Sequence, residues 1–292
     1  MQPLTFGLKA SQQHVSIDAL RDVWAIADDG GFDGCWLFDH FAPMGRERTG
    51  DIFEAWTTLA AMAQATRRVR VGTLVTGNAY RHPGMLAKMA VTVDHVSGGR
   101  LDLGLGAGGD TYVEVMLGMP QPAARERVEG LDEACQVLES LWTKPSTTFT
   151  GTYYQLADAV ADPKPVQRPH PPLWLASNGE RRGLRVVAQH ADVWVTSQSP
   201  AADPADPDIA TVERLSHVLD QHCEAVGRDP ATIRRAVQFR LPDAADDALR
   251  VVELHAQAGF TDLILMRYAA AGSAAAAAEE VAALLPKLRT VG

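Results

Sequence analysis

The sequence predicts an α/β protein folded as one (β/α)8 barrel of the TIM type, and three observations predict it. Short apolar runs alternate along the chain with longer stretches of helical spacing, a rhythm that parallel strands with helical crossovers produce. Eight such βα units can be counted. The 292 residues suit a closed barrel with modest insertions, so residues 1–292 read as a single domain. An open doubly wound sheet is the competing architecture. It would need a crevice where the strand order reverses, and eight units in succession weigh toward closure.

Each element has its own signal. The first strand falls at 4–9 (LTFGLK) and leads to a helix at 17–29, which the Gly30-Gly31 pair can close with a left-handed residue. The second strand, 34–39 (GCWLFD), is followed by a polar loop at 42–51 (APMGRERTGD) and a helix at 53–65. The third, 69–75, gives way to a helix at 83–95 that Pro83 can start, because a first helical turn has no use for the missing N–H. The fourth, 100–105 (RLDLGL), runs into a glycine-rich turn, and its helix is expected at 125–142. A Pro-rich excursion at 144–171 is too long for an ordinary connection and, like the 42–51 loop, is placed to cover a site. The fifth strand, 172–177 (PLWLAS), precedes a helix at 179–190 that Ser177-Asn178 can cap. Strands at 192–197, 235–241 and 261–267 alternate with helices at 208–226, 243–258 and 273–289. The Ala-rich segment 269–278 has high helix propensity and is expected to begin the last helix.

Composition narrows the function. The net charge of -9 comes from dispersed carboxylates, and no basic run or aromatic-interleaved basic stripe suits a nucleic acid. No apolar stretch approaches the length of a membrane span, and MQPLTFGLKASQQH lacks the basic flank and apolar core of a secretory signal, so a cytoplasmic location is expected. Cys35, Cys135 and Cys223 are odd in number and widely spaced, without a C-x-x-C or Cys/His pattern, so neither disulfides nor zinc is expected.

In a barrel of this type chemistry sits at the C-terminal strand ends. Those positions hold Lys9 and Ser11, Asp39-His40, Leu74 to Thr76, Gly104 to Asp110, Ser177 to Arg181, Thr196-Ser197, Arg240, and Met266 to Tyr268. They contain no metal set. Asp39-His40 carries the most chemistry, since a carboxylate and an imidazole can hold a polar ring and move a proton near neutral pH. A helix-capping Asp beside a surface His reads the same way. The turn GLGAGGD (104–110) leaves little side-chain bulk, letting a flat ligand lie against the backbone, though a tight turn also needs glycine. It fits G-x-G-x-x-G in one frame only, and the barrel context disfavours a dinucleotide site. Ser177-Asn178-Gly179-Glu180-Arg181 joins a strand end to a helix start, where amides and the helix dipole suit a phosphate. Glu180 opposes an anion there, and simple capping is the alternative. His14 can line a pocket or sit in a solvated loop. No G-x-S-x-G accompanies the serines.

Five stretches in order resemble the luciferase-like monooxygenase superfamily, in particular its branch dependent on the deazaflavin coenzyme F420. They are GFDGCWLFDHF (31–41), RRVRVGTLVT (67–76), RHPGMLAKMAVTVDHVSGGRLDLGLGAG (81–108), ERVEGLDEACQVLESLW (126–142) and PKPVQRPHPPLWLASNGERRGLRVVAQHADVW (163–194). The resemblance implies a luciferase-like (β/α)8 barrel with an insertion, and a homodimer. It implies a cofactor ring over a strand-three bulge near Leu74-Val75, often with a cis peptide bond. By the same carry-over, Asp39 contacts the ring and His40 donates or accepts a proton. Val75 and Thr76 support the ring, Ala107 and Gly108 approach it, and Ser177, Asn178, Gly179, Glu180 and Arg181 hold the cofactor phosphate. The implied activity is hydride transfer between coenzyme F420 and a small organic substrate, with Asp39 orienting the ring or the imidazole. The family's sugar-phosphate dehydrogenases place a Glu after the strand-four G-x-G, whereas this chain has Gly109 and then Asp110, so a sugar phosphate is not expected. The alternatives are an FMN-dependent monooxygenase on the same fold and a cofactor-binding protein without turnover.

Overall fold

A computed structural model describes residues 3–45, 47–199, 202–267 and 273–291. Tyr268, expected at the last strand end, and residues 269–272 of the Ala-rich segment lie outside the described residues. In chain order the elements are β1 (Thr5–Lys9), α1 (Ile17–Asp29), β2 (Gly34–Leu37), α2 (Ala55–Ala65), β3 (Arg70–Gly77), α3 (Pro83–Ser97), β4 (Leu101–Gly106), α4 (Thr111–Met116) and α5 (Ala124–Thr143). There follow β5 (Thr147–Thr150), β6 (Gln155–Ala159), β7 (Leu173–Ala176), α6 (Gly183–His190), β8 (Val193–Ser197), α7 (Ile209–Ala225), β9 (Arg234–Arg240), α8 (Ala245–Gln257), β10 (Asp262–Met266) and α9 (Ala274–Leu288).

Eight strands close into a barrel in the order β1-β10-β9-β8-β7-β4-β3-β2, and each neighbouring pair is parallel. The (β/α)8 expectation holds. Alternation along each strand sends one set of side chains inward and the other toward the helices. The inward set, Trp36, Leu74, Trp174, Val193, Val195, Ala236 and Ile264, fills the barrel. Room for Trp36 comes from Gly7, where a Cβ would lie 2.7 Å from the indole nitrogen. The outward set joins Leu20, Trp24, Leu59, Leu86, Leu138 and other helix residues in the larger core.

Local signals account for the helix ends. Ser16 caps α1 by accepting from the Ala19 N–H at 3.1 Å, and Gly31, at φ 90°, supplies the left-handed residue after it. Pro83 opens α3, and Gly98 at φ 67° closes it.

Several expectations need correction. β2 ends at Leu37, so Asp39 and His40 lie just past it, in the loop. β3 runs on to Gly77, across a register shift between Thr73 and Thr76 and a cis bond at Leu74-Val75. The short helix α4 was not expected, and the Pro-rich excursion contains an antiparallel hairpin, β5 with β6. Ser177-Asn178 does not cap α6, which starts four residues later, at Gly183, than the 179 expected, with no side-chain cap. The Ser177 hydroxyl instead accepts from the Gly179 N–H at 3.2 Å, and Asn178 Oδ1 accepts from the Thr196 hydroxyl at 2.8 Å.

Candidate active site

A cavity of about 660 Å³ opens at the C-terminal end of the barrel, lined by Asp39, His40, Val75, Tyr80, Gly106, Ala107, Gly108, Asp110, Tyr112 and Ala176 among others. Its floor carries little side-chain bulk. At Gly106 a Cβ would come within 2.9 Å of Val75 Cγ2, and Gly108 sits at φ +77°, where a side chain is strained. Gly104 belongs to packing instead, since its Cβ would fall 1.8 Å from the Thr73 carbonyl oxygen.

Two charged clusters stand on this cavity. Asp39 is 1% exposed and is held by both terminal nitrogens of Arg81, one at 3.1 Å and the other closer. Arg81 also donates to Glu54 Oε1 at 2.7 Å. Burial pushes the Asp39 carboxyl up from its ordinary range, against the pull of Arg81. For Glu54 burial acts in the same direction, but the Thr57 and Trp56 amides and Arg81 bring the carboxyl below its ordinary value.

The second cluster is built on Asp110. This residue caps α4, takes Arg48 at 2.6 Å and faces His40 Nδ1 at 3.3 Å. Burial works against the Asp110 carboxylate, yet Arg48 beside it holds it below its ordinary range. Burial lowers His40, Asp110 opposes that, and the charges of Lys9 and Arg48 add to the lowering, so the net direction is down. Neutral imidazole is therefore the favoured form at neutral pH. Tyr80, pushed up to about 12 by burial and the Asp110 and Asp39 charges, stays a neutral donor.

The structure brings Asp39, His40, Val75, Ala107 and Gly108 together on one cavity. It points other side chains elsewhere. Leu74 packs in the inner core, and the Thr76 hydroxyl, which accepts from Trp56 Nε1 at 3.0 Å beside Thr73, lies behind the wall, where it also supports the Asp39 carboxylate. Ser177 to Arg181 border the cavity through Ala176 but do not line it, and Asn178, Gly179, Glu180 and Arg181 are exposed. Glu180, whose charge opposed an anion there, is ion-paired with Arg214, and its carbonyl bonds the His222 ring at 2.6 Å. The expectation that Asp39 orients the imidazole is corrected: Asp39 is spent on Arg81, and Asp110 is the carboxylate at His40. His14 lines a second cavity, with Lys9 and Ser11.

Sequence reasoning missed Arg48, Arg81 and Glu54, whose roles depend on contacts 27 to 62 residues away. Asp110 had a signal: an Asp directly before T-Y-V-E reads as a helix cap, and α4 would have turned it toward the strand-two loop.

The model of the family described as luciferase-like monooxygenase matches residues 4–287. The chain belongs to that family. An F420-dependent glucose-6-phosphate dehydrogenase of Microbacterium testaceum is 33% identical over 227 residues, 77% of this chain and 64% of that protein. A protein of the same name from Kineococcus radiotolerans is 32% identical over 249 residues, 85% of this chain and 70% of its own length. The match thus leaves about a third of each relative without a counterpart. Among solved structures, an F420-dependent secondary alcohol dehydrogenase in complex with an F420-acetone adduct superposes with a TM-score of 0.79 at 21% identity, covering 90% of this chain and 93% of that one. At that identity the likeness speaks for the fold.

Proposed function

We propose that this luciferase-like chain is an F420-dependent oxidoreductase that passes a hydride between the deazaflavin coenzyme and a small organic alcohol or carbonyl compound. The observation that carries the reading is His40, held by Asp110, on the wall of a cavity whose floor of Val75, Gly106, Ala107 and Gly108 leaves the backbone bare. That floor fits a flat ring. The F420 dependence in the names of the relatives selects the coenzyme among ring cofactors.

When bound, the coenzyme supplies the two-electron redox step. The chain supplies position and proton handling. Val75, Gly106, Ala107 and Gly108 would hold the ring, and Ser177 to Arg181 its phosphate, an arrangement that pairing of Glu180 with Arg214 makes less unfavourable. His40 accepts the proton from a substrate hydroxyl, or returns it to a carbonyl oxygen, because a neutral imidazole beside a carboxylate is a competent base. Asp110 fixes the ring orientation and stabilises the imidazolium as it forms. Asp39, neutralised by Arg81, shapes the wall and adds no free charge.

Titration of the apoprotein with F420 and with FMN, followed by turnover against a panel of secondary alcohols and sugar phosphates, tests this. Tight F420 binding with substrate-dependent reduction of the coenzyme is expected. Tight FMN binding with substrate-coupled oxygen uptake would overturn it, and F420 binding without turnover across the panel would leave a carrier protein.

A further inference from the structure

Lys9 is the half-buried, inward-facing residue at the C-terminal end of β1. Its ammonium donates to the Leu74 carbonyl at the β3 bulge and lies 5.6 Å from the centre of the Phe38 ring. The His40 imidazole packs edge-on against the same ring, with centroids 5.7 Å apart. No carboxylate among the described residues reaches the ammonium within ion-pairing distance. Asp39 is taken by Arg81 and Asp110 by Arg48 and His40. Although half-buried, the Lys9 ammonium has lost enough of its solvation to the surrounding protein that its pKa is pulled down to about 7. A cation without a counter-ion inside a barrel mouth is costly, and such cost is retained where the group serves the site rather than the fold.

We propose that Lys9 is a positioning residue of this site: its ammonium ties the Leu74 carbonyl of the strand-three bulge beneath the cavity floor and opposes a second positive charge on His40. The tie acts on the segment that presents Val75 to the cavity. The charge acts on the base, since a cation on one side of the Phe38 ring disfavours protonation of the imidazole packed on it. Arg48 adds to that opposition and Asp110 offsets it, while Asp39, Arg81 and Glu54 form a closed cluster. The catalytic meaning of the proposal rests on the oxidoreductase reading; the electrostatic coupling does not.

The coupling is read without turnover, by NMR titration of the His40 ring in the wild-type apoprotein, Lys9→Met and Lys9→Arg. In Lys9→Met the His40 midpoint should move up, and in Lys9→Arg, which keeps the charge, it should stay near the wild-type value. The same titration in the wild type should show the His40 signals shifting as Lys9 deprotonates near pH 7, a measurement that needs no variant to fold. Stability gives an independent reading. The folded pKa of Lys9 lies below its unfolded value, so the penalty is present in full below about pH 7 and fades as the pH rises toward the ordinary lysine value of 10.5. Lys9→Met should therefore melt higher than wild type at pH 6, by a margin that shrinks toward pH 10. An unmoved His40 midpoint in Lys9→Met would overturn the proposal. Failure of the oxidoreductase reading would appear separately, as absent F420 binding with the His40 shift intact.

Discussion

Both ends of the barrel bury an aspartate against an arginine, and only one of the two leaves a large cavity beside it. At the N-terminal end Asp102, 1% exposed, takes Arg70 through two nitrogens at 2.6 and 2.8 Å, and Asp262 takes Arg234 at 2.6 Å. Arg234 stacks over Trp174, whose ring lies 4.5 Å from that of Trp36, and the space left is about 60 Å³. At the C-terminal end Asp39 takes Arg81 and Asp110 takes Arg48. There the strands end on Gly106 and Ala176 instead of tryptophans, and about 660 Å³ stays open. The buried ion pair is common to both ends, so it does not by itself mark function. What differs is a titratable His40 sharing one of the carboxylates, and a floor without bulk.

The largest test of that contrast is His40→Ala. General acid-base help of this kind contributes roughly 10²–10⁴-fold, so kcat should fall by that factor while F420 affinity and melting temperature change little. A variant with unimpaired turnover would remove the functional half of the comparison. The converse test is Arg70→Met, which strands the buried Asp102 carboxylate at the closed end. Breaking a buried pair costs roughly 3–5 kcal/mol; because Arg70 is 37% exposed, about 3 kcal/mol is expected in urea unfolding, with F420 affinity preserved. Loss of coenzyme binding at unchanged stability would show that the closed end is not merely structural.

The sequence made the barrel legible because strand and helix periodicity, caps and turn glycines are local. It made half of the cavity legible for the same reason. Asp39 and His40 stand out by their chemistry at a strand end, whereas Val75, Ala107 and Gly108 were singled out among the strand-end residues by the family resemblance. The partners did not follow, because pairing is a property of closure. Arg81 meets Asp39 from the next barrel unit, 42 residues on, and Arg48 meets Asp110 across 62 residues. The same limit explains the misread around Ser177: its hydroxyl sits where only Gly183 leaves room, a Cβ there falling 1.9 Å away, and a cap reading by spacing cannot see that. Lys9 was visible as a strand-end residue, but its lack of a counter-ion is apparent only once every nearby carboxylate has been assigned.

At the smallest scale, two half-buried histidines, His40 and His190, respond to their surroundings in opposite directions. His40 shares its one carboxylate with Arg48 and feels Lys9, so burial wins and its pKa falls. His190, at the end of α6, is also disfavoured by burial, but Asp132 at 2.8 Å and Glu139 at 3.4 Å overcome that and raise it to about 9. A folded value above the unfolded one means that this stabilisation is complete below about pH 6.5 and is lost as the pH rises through 9. Its two carboxylates are 31% and 38% exposed, so solvent screening trims the contribution to about 1 kcal/mol. His190→Gln should therefore lower stability by that amount at pH 6 and by almost nothing at pH 10, without moving the pH profile of turnover. The His190 cluster is thus expected to respond to pH through the fold, and His40 through the proposed reaction. A turnover profile that shifts in His190→Gln would erase that distinction.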